Sequence, residues 1–169
     1  AAANNNDVAV VIITGTGRAF SAGQDLGEMG DPKRQQPGFV GQFPYFIDSI
    51  AAFSKPLIAA VNGMGVGIGL TLLPHCDLVY MADSARLRAP FATLGVTVEA
   101  GNSFLLPQAV GWANAAELLY TARWIDAENA KTLGLVYEVC AAQVLMQTVA
   151  NKAAEIAKMP LVSLVTTKK

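Results

Sequence analysis

The fold is decided by VIITGTGRAFSAGQDL at residues 11–26 and by KPLIAAVNGMGVGIGL at residues 55–70. In each segment a run of β-branched and small apolar residues, typical of a strand buried in a parallel sheet, precedes a glycine-rich turn. The turns cover residues 21–25 and 63–69, and each leads toward a predicted helix. Backbone N–H groups at such turns lack partners in the helix and can point at one shared oxygen atom. The two turns therefore predict an oxyanion hole built from the backbone.

Composition limits the classes of protein to which this chain can belong. It has 169 residues, of which 53% are hydrophobic and 15% are charged, and its net charge is −1. That length and hydrophobicity predict one domain with a sizeable core. The largest cluster of basic residues is the pair Lys33-Arg34, so nucleic acid is not expected as a partner. The apolar runs are too short for a membrane span, so a membrane is not expected either. Two cysteines do not make a disulfide framework, which predicts a reducing, cytoplasmic location.

Periodicity along the chain predicts strands that alternate with helices, followed by a helical C-terminal part. Strands are predicted at residues 8–14, 20–23, 57–61, 77–81, 86–89 and 135–139. Helices are predicted at 43–53, 67–73, 103–110, 113–121, 126–132 and 144–158, with a first helical turn at 25–29 and a loop at 30–41. Asp126 is expected to cap the start of its helix and Gly134 the end. The order of elements predicts an α/β fold.

The two opening segments also carry a family resemblance. Residues 11–26 resemble the first signature of the crotonase (enoyl-CoA hydratase/isomerase) superfamily, and residues 55–69 with Cys76-Asp77-Leu78-Val79 resemble its second. The resemblance implies a ββα spiral, with a crotonase-like α/β core at 1–110 and a mainly helical trimerisation region at 111–169. It further implies that the family's chain begins earlier, with a strand hairpin, and ends with a further helix, so that both regions are incomplete here.

The same resemblance implies a ligand and the residues that bind it. The ligand would be an acyl-CoA, and the oxyanion donors would be the backbone N–H groups of Gln24 and Ile68. The path of the ligand would be lined by Ser21, Ala22, Gly23, Asp25, Leu26 and Gly67. No cofactor besides the coenzyme A of the substrate is implied, and the assembly would be a homotrimer or a dimer of trimers. No metal site is expected, because one histidine cannot anchor a cluster of ligands.

The choice of reaction depends on three positions. Hydratases of this family use two glutamates, and the matching positions here are Thr71 and Phe91, neither of which titrates near neutral pH. Glu99 lies in LGVTVEAG at residues 94–101, a segment that resembles the peroxisomal-type Δ3,Δ2-enoyl-CoA isomerases. That subgroup often has Pro at the position of Val98 and Gly at that of Ala100. Apolar neighbours predict that Glu99 is desolvated and has a raised pKa, which suits a single base that moves one proton.

Other interpretations of these residues stay open at this point. Glu99 alone is equally consistent with a solvated loop residue or a charge near the start of a helix. The chain as a whole could be a divergent hydratase, or a non-catalytic acyl-CoA-binding member that resembles the chromodomain-Y-like branch.

The remaining polar and aromatic residues have ordinary structural interpretations. His75 and Asp77 are expected to be structural, Asp25 to be a helix cap, and Lys55 to be a surface charge. Trp112, Leu118, Leu119 and Trp124 are expected to pack in the core or in a trimer contact.

Overall fold

The computed structural model describes residues 2–24 and 41–168. Its strands are β1 (Val11–Thr14), β2 (Ala19–Ser21), β3 (Leu57–Val61), β4 (Met64–Val66), β5 (Leu78–Ala82), β6 (Arg86–Arg88), β7 (Ile125–Asp126) and β8 (Glu138–Cys140). Its α-helices are α1 (Gln42–Ala51), α2 (Ile68–Thr71), α3 (Asn102–Val110), α4 (Trp112–Thr121), α5 (Ala127–Thr132), α6 (Leu145–Ile156) and α7 (Leu161–Lys168), with 3-10 turns at Ala2–Asn4, Leu73–His75 and Ala92–Leu94. The helical turn predicted at 25–29 lies outside the described residues, as does the loop predicted at 30–41 except for its last residue.

One sheet is parallel throughout, in the order β1-β3-β5-β8. Strand β3 lies inside it and is buried at every residue, as predicted. Strand β1 begins at Val11 rather than Val8, lies at the edge of the described sheet and is only partly buried. The prediction that this run is buried on both faces is therefore wrong. A β-branched run is similar in edge and interior strands, so only the order of the strands separates them.

The second sheet has the order β2-β4-β6-β7, with β6 and β7 antiparallel. Strands β4 and β7 were not predicted, and β4 lies within the segment interpreted as a turn. Gly65 in β4 pairs with Ser21 on one side and Leu87 on the other. A Cβ at Gly65 would lie 2.6 Å from Leu87 Cδ2, so close packing of β6 requires glycine there. Glycine has a low strand propensity, which is why local sequence did not reveal this strand.

The start of α5 follows the prediction closely. The Asp126 side chain accepts a hydrogen bond from the Asn129 N–H at 2.8 Å, so Asp126 is the N-cap. At the other end the C-cap is Leu133, and Gly134 follows it with φ of +86°. The predicted cap at Gly134 is thus one residue late, although glycine still provides the left-handed conformation that ends the helix.

The strand predicted at 135–139 is only partly correct, because β8 begins at Glu138. Leu135 and Val136 are buried, but both donate their N–H groups to the Ala130 carbonyl at the end of α5. Their hydrogen bonds therefore belong to the end of the helix, although their apolar side chains are typical of a strand.

Lys55 is not the surface charge that the sequence predicts. It is only 3% exposed, and its ammonium group donates hydrogen bonds to the carbonyls of Ala2, Asn5 and Val8 at 2.9, 2.7 and 2.8 Å. The three donors of the ammonium are thereby satisfied, which is the condition for burying such a charge. Lys55 ties the N-terminal segment to the start of β3.

The two tryptophans of the helical region are much more exposed than Leu118. Leu118 is buried, whereas Trp112 is 63% exposed and Trp124 is 39% exposed. The core interpretation is therefore correct for Leu118 and wrong for Trp112, and trimerisation through residues 111–169 stays a prediction.

Within the described residues, no helix combines the length and apolar character needed to cross a membrane.

Candidate active site

Gly23 and Gly67 bring the two glycine turns into contact. Gly23 has φ of +93°, and a Cβ on it would lie 3.2 Å from the Val66 carbonyl oxygen. Gly67 has φ of +57°, and a Cβ on it would lie 3.9 Å from the Cα of Gly23. Both positions favour glycine because other residues rarely adopt positive φ. Parallel pairing of β2 with β4 places the turns side by side.

An apolar cavity of about 300 Å³ opens at this contact. Its walls come from both turns and from the segment after β6, and they consist of Ala22, Gly23, Gln24, Val66, Gly67, Pro90, Phe91, Leu94, Val96, Thr97 and Glu99. Among the described residues that line it, Glu99 has the only acidic or basic side chain. Three segments that are separated in the sequence therefore meet around one carboxylate.

Glu99 is half-buried in this cavity, and burial raises the pKa of its carboxyl above the usual value. A hydrogen bond with the Thr71 side chain lowers the same pKa, and it is the smaller of the two effects. The predicted desolvation is thus present. A carboxylate in such a setting can exchange a proton with a ligand nearer to neutral pH than a solvated one.

The two positions predicted to match the glutamates of hydratases are neutral and buried. Thr71 lies in α2 and is 0% exposed, and Phe91 follows β6 and is 8% exposed. Phe91 lines the cavity, so the wall that would hold a second carboxylate is a phenyl ring. The described residues therefore give the cavity one proton-transfer group rather than two.

Gln24 and Ile68, the predicted oxyanion donors, flank the contact between the turns. Gln24 lines the cavity. Ile68 is the first residue of α2, where a backbone N–H has no intrahelical acceptor. The Gly67 carbonyl already accepts from the N–H groups of Leu70 and Thr71 at 2.9 and 3.0 Å, which fixes the direction of this short helix.

The predicted ligand path is only partly assembled by the described residues. Ala22, Gly23 and Gly67 line the cavity with Glu99. Ser21 instead lines a neighbouring cavity that also contains Ile68. Asp25 and Leu26 lie outside the described residues.

His75 and Asp77 have the structural roles that were predicted. The His75 Nε2 lies 2.8 Å from the Ala100 carbonyl oxygen. The Asp77 carboxylate accepts from the Leu57 N–H and from the Lys168 ammonium, both at 2.7 Å. Both side chains are thus engaged in contacts that hold the fold together.

Sequence reasoning did not single out Asn102, which the structure places directly behind Glu99. Its side chain is 0% exposed, and its Nδ2 donates to the Thr71 carbonyl at 2.7 Å. Its local signal is a polar residue at the start of a helix, which is common and unspecific. Only the contact between the start of α3 and the end of α2, made by this hydrogen bond, reveals its importance.

Metal ligands and disulfides do not contribute to the described part of the chain. No group of three or more His, Cys, Asp or Glu residues in 2–24 and 41–168 is arranged to hold a metal ion. Cys76 and Cys140 are free thiols.

The whole chain, residues 1–169, matches the family described as enoyl-CoA hydratase/isomerase. It is 35% identical to the 2,3-dehydroadipyl-CoA hydratase of Escherichia coli (strain K12), over 94% of this chain and 62% of that protein. It is 34% identical to enoyl-CoA delta isomerase 2 of Rattus norvegicus, over 94% of this chain and 41% of that protein. The chain therefore spans less than two thirds of either relative.

Solved structures show the same architecture. Enoyl-CoA hydratase EchA8_6 from Mycobacterium marinum is 46% identical and superposes with a TM-score of 0.90, covering 99% of this chain and 79% of that one. The predicted crotonase-type α/β fold is thus confirmed.

Proposed function

This chain belongs to the enoyl-CoA hydratase/isomerase family, and from that premise we propose that it moves the double bond of a 3-enoyl-CoA thioester to the 2 position. The observation that carries this proposal is the position of Glu99. Its carboxylate stands in the apolar cavity where the two glycine turns meet, and a Cβ on Gly67 would lie 4.0 Å from its Oε1. One base beside a backbone-lined recess is what a double-bond shift requires.

The reaction proceeds through one proton that leaves and returns. The Glu99 carboxylate removes a proton from C2 of the thioester, and the electron pair of that C–H bond moves into a dienolate whose charge lies on the thioester oxygen. The protonated Glu99 then delivers the proton to C4, and the double bond is left between C2 and C3. The carboxylate is regenerated, so no other reactant is consumed.

The dienolate oxygen needs hydrogen-bond donors at the moment its charge develops. In this proposal the backbone N–H groups of Gln24 and Ile68 supply them. Loss of one such donor costs about 3–4 kcal/mol of transition-state stabilisation in comparable enzymes. Because the donors belong to the backbone, their placement depends on the glycines that shape the two turns rather than on the side chains at these positions.

Replacing Glu99 by glutamine tests the proposal directly. The E99Q protein keeps the shape of the side chain and loses the base, so turnover of a 3-enoyl-CoA should fall by about 10²–10⁴-fold. The formation of the conjugated 2-enoyl thioester is followed by its ultraviolet absorbance. Glu128→Gln, on the exposed face of α5, is the matched control and should keep full activity. Unchanged turnover in E99Q would contradict the proposed isomerase activity.

Hydration is the second candidate, and the observation in its favour is the 35% identity to the 2,3-dehydroadipyl-CoA hydratase of Escherichia coli. Water addition requires two coordinated proton movements, and Thr71 and Phe91 supply neither. We therefore expect hydration of a 2-enoyl-CoA to be far slower than isomerisation of the 3-enoyl isomer. Faster hydration would reverse the order of the two candidates. Acyl-CoA binding without turnover of either thioester would favour a non-catalytic role.

A further inference from the structure

Glu99 lies at the beginning of a turn with an uncommon backbone conformation. The next two residues, Ala100 and Gly101, have φ of +53° and +68°. Ala100 is not a glycine, so its left-handed conformation is unfavourable unless the surroundings impose it. The Asn102 N–H closes the turn by donating to the Glu99 carbonyl at 3.0 Å. Contacts from outside the turn are needed to keep it in this shape.

The Asn102 side chain braces the turn from within and links it to α2. It is 0% exposed, and its Nδ2 donates to the Thr71 carbonyl at 2.7 Å and to the Ala100 carbonyl at 3.1 Å. Both partners are acceptors, which identifies the end of the amide that faces them as the nitrogen. The His75 Nε2, 2.8 Å from the Ala100 carbonyl, adds a further link to the 3-10 turn after α2. The Glu99 turn is thus tied to α2 and to the residues that follow it.

Thr71, whose carbonyl accepts from Asn102, is itself held inside α2. It is 0% exposed, and its hydroxyl donates to the Gly67 carbonyl at 3.3 Å. The carbonyl that Asn102 binds therefore belongs to the short helix whose N-cap, Gly67, lines the cavity with Glu99.

The other end of the Asn102 amide shows that this arrangement is not optimised for stability alone. Among the described residues, Asn102 Oδ1 is buried without a hydrogen-bond partner. An apolar side chain would avoid that desolvated oxygen, but it could not tie two carbonyls together. The two N–H donors are the part of the side chain that the site uses.

We propose that Asn102 is a positioning residue for Glu99, because its side chain fixes the backbone of the Glu99 turn against the end of α2. The catalytic consequence rests on the proposed function, whereas the positioning itself does not.

Asn102→Ala tests this role, because it removes both side-chain donors and keeps the backbone N–H that closes the turn. A turn that is no longer tied to α2 should hold the carboxylate differently in the cavity, so the pKa of Glu99 should change. That pKa is read by carboxyl ¹³C NMR of glutamate-labelled protein without substrate, with E99Q identifying the signal. Asn114→Ala, the matched control, removes an amide that donates to the Val110 carbonyl at 2.8 Å, and it should leave Glu99 unaffected.

Kinetics provide the second readout. Asn102→Ala should lower kcat for the 3-enoyl-CoA about tenfold or more, with little change in KM, in protein whose circular dichroism shows a native fold. Asn102→Leu, which keeps the size of the side chain and has no polar atom to bury, should have the same effect. A Glu99 titration and a kcat that are both unchanged in these variants would overturn the proposal. A shifted titration in a protein that isomerises nothing would support the positioning and refute the proposed function.

Discussion

The Glu99 carboxylate lies against Gly67, so that a Cβ on Gly67 would be 4.0 Å from Oε1 and 3.9 Å from the Cα of Gly23. These are ordinary contact distances, so the space between the two turns could accept a methyl group. The backbone of Gly67, with φ of +57°, accepts other residues poorly. Glycine here thus maintains both the direction of the turn and the open face of the cavity beside the carboxylate.

Gly67→Ala should destabilise the protein by about 1–3 kcal/mol, because its φ of +57° with ψ of −114° is a conformation that residues with a Cβ rarely adopt. It should also reduce isomerase turnover, since the added methyl narrows the cavity beside Glu99. The matched control is Gly17→Ala, at φ of +75° with no atom within 4 Å of the added Cβ. Urea denaturation should show a loss of stability for both variants, and only Gly67→Ala should lose activity. Equal losses of activity in Gly67→Ala and Gly17→Ala would contradict the assignment of the cavity beside Glu99 as the active site.

The raised pKa of Glu99 predicts a specific dependence of stability on pH. The folded protein binds the proton of Glu99 more tightly than the unfolded chain does, so ionisation of this group costs folding free energy. This loss of stability is present at neutral pH. It disappears as the pH falls below the pKa of Glu99 in the unfolded chain, which is about 4.3. E99Q should therefore be more stable than the unchanged protein at pH 7, and this advantage should vanish near pH 4. Denaturant midpoints at both values measure it, and a greater advantage at pH 4 would contradict the sign.

Lys55→Met should be strongly destabilising. It leaves the carbonyls of Ala2, Asn5 and Val8 without the ammonium that binds them, in a place that is only 3% exposed. We expect a loss of about 2–4 kcal/mol in the free energy of unfolding. Lys131→Met on the exposed surface of α5 is the control and should change stability little. Similar denaturant midpoints for the two variants would restore the interpretation of Lys55 as a surface charge.

Cys76 should react slowly with alkylating reagents. Burial, followed by the nearby charge of Asp77, raises the pKa of its thiol to about 12. Compared with an ordinary cysteine, the thiolate fraction at pH 8 is then lower by a factor of roughly a thousand. In a Cys140→Ala background, iodoacetamide labelling followed by mass spectrometry should be slow in the native protein and fast in guanidinium chloride. Rapid labelling of the native protein would show that Cys76 is more accessible than the structure indicates.

The local predictions differ in outcome for a common physical reason. The interior strand at Leu57–Val61 and the cap at Asp126 were predictable because burial pattern and capping chemistry are written in neighbouring residues. Strand β4 was not, because Gly65 is held in a strand by Leu87, more than twenty positions away. Lys55 was misjudged for the same reason, since its three acceptors belong to the N-terminal segment.

The sequence by itself determined the α/β class, the two glycine turns and the identity of the groups available for chemistry at positions 71, 91 and 99. Those properties follow from residue type, because no fold can make Thr71 or Phe91 into an acid at neutral pH. Tertiary structure alone decided that Glu99 stands beside Gly67 in a desolvated cavity, and that Asn102 ties its turn to Thr71. The packing of α3 against the 3-10 turn Leu73–His75 and the parallel pairing of β2 with β4 create these contacts. They depend on distances between segments far apart in the chain, which local patterns do not contain.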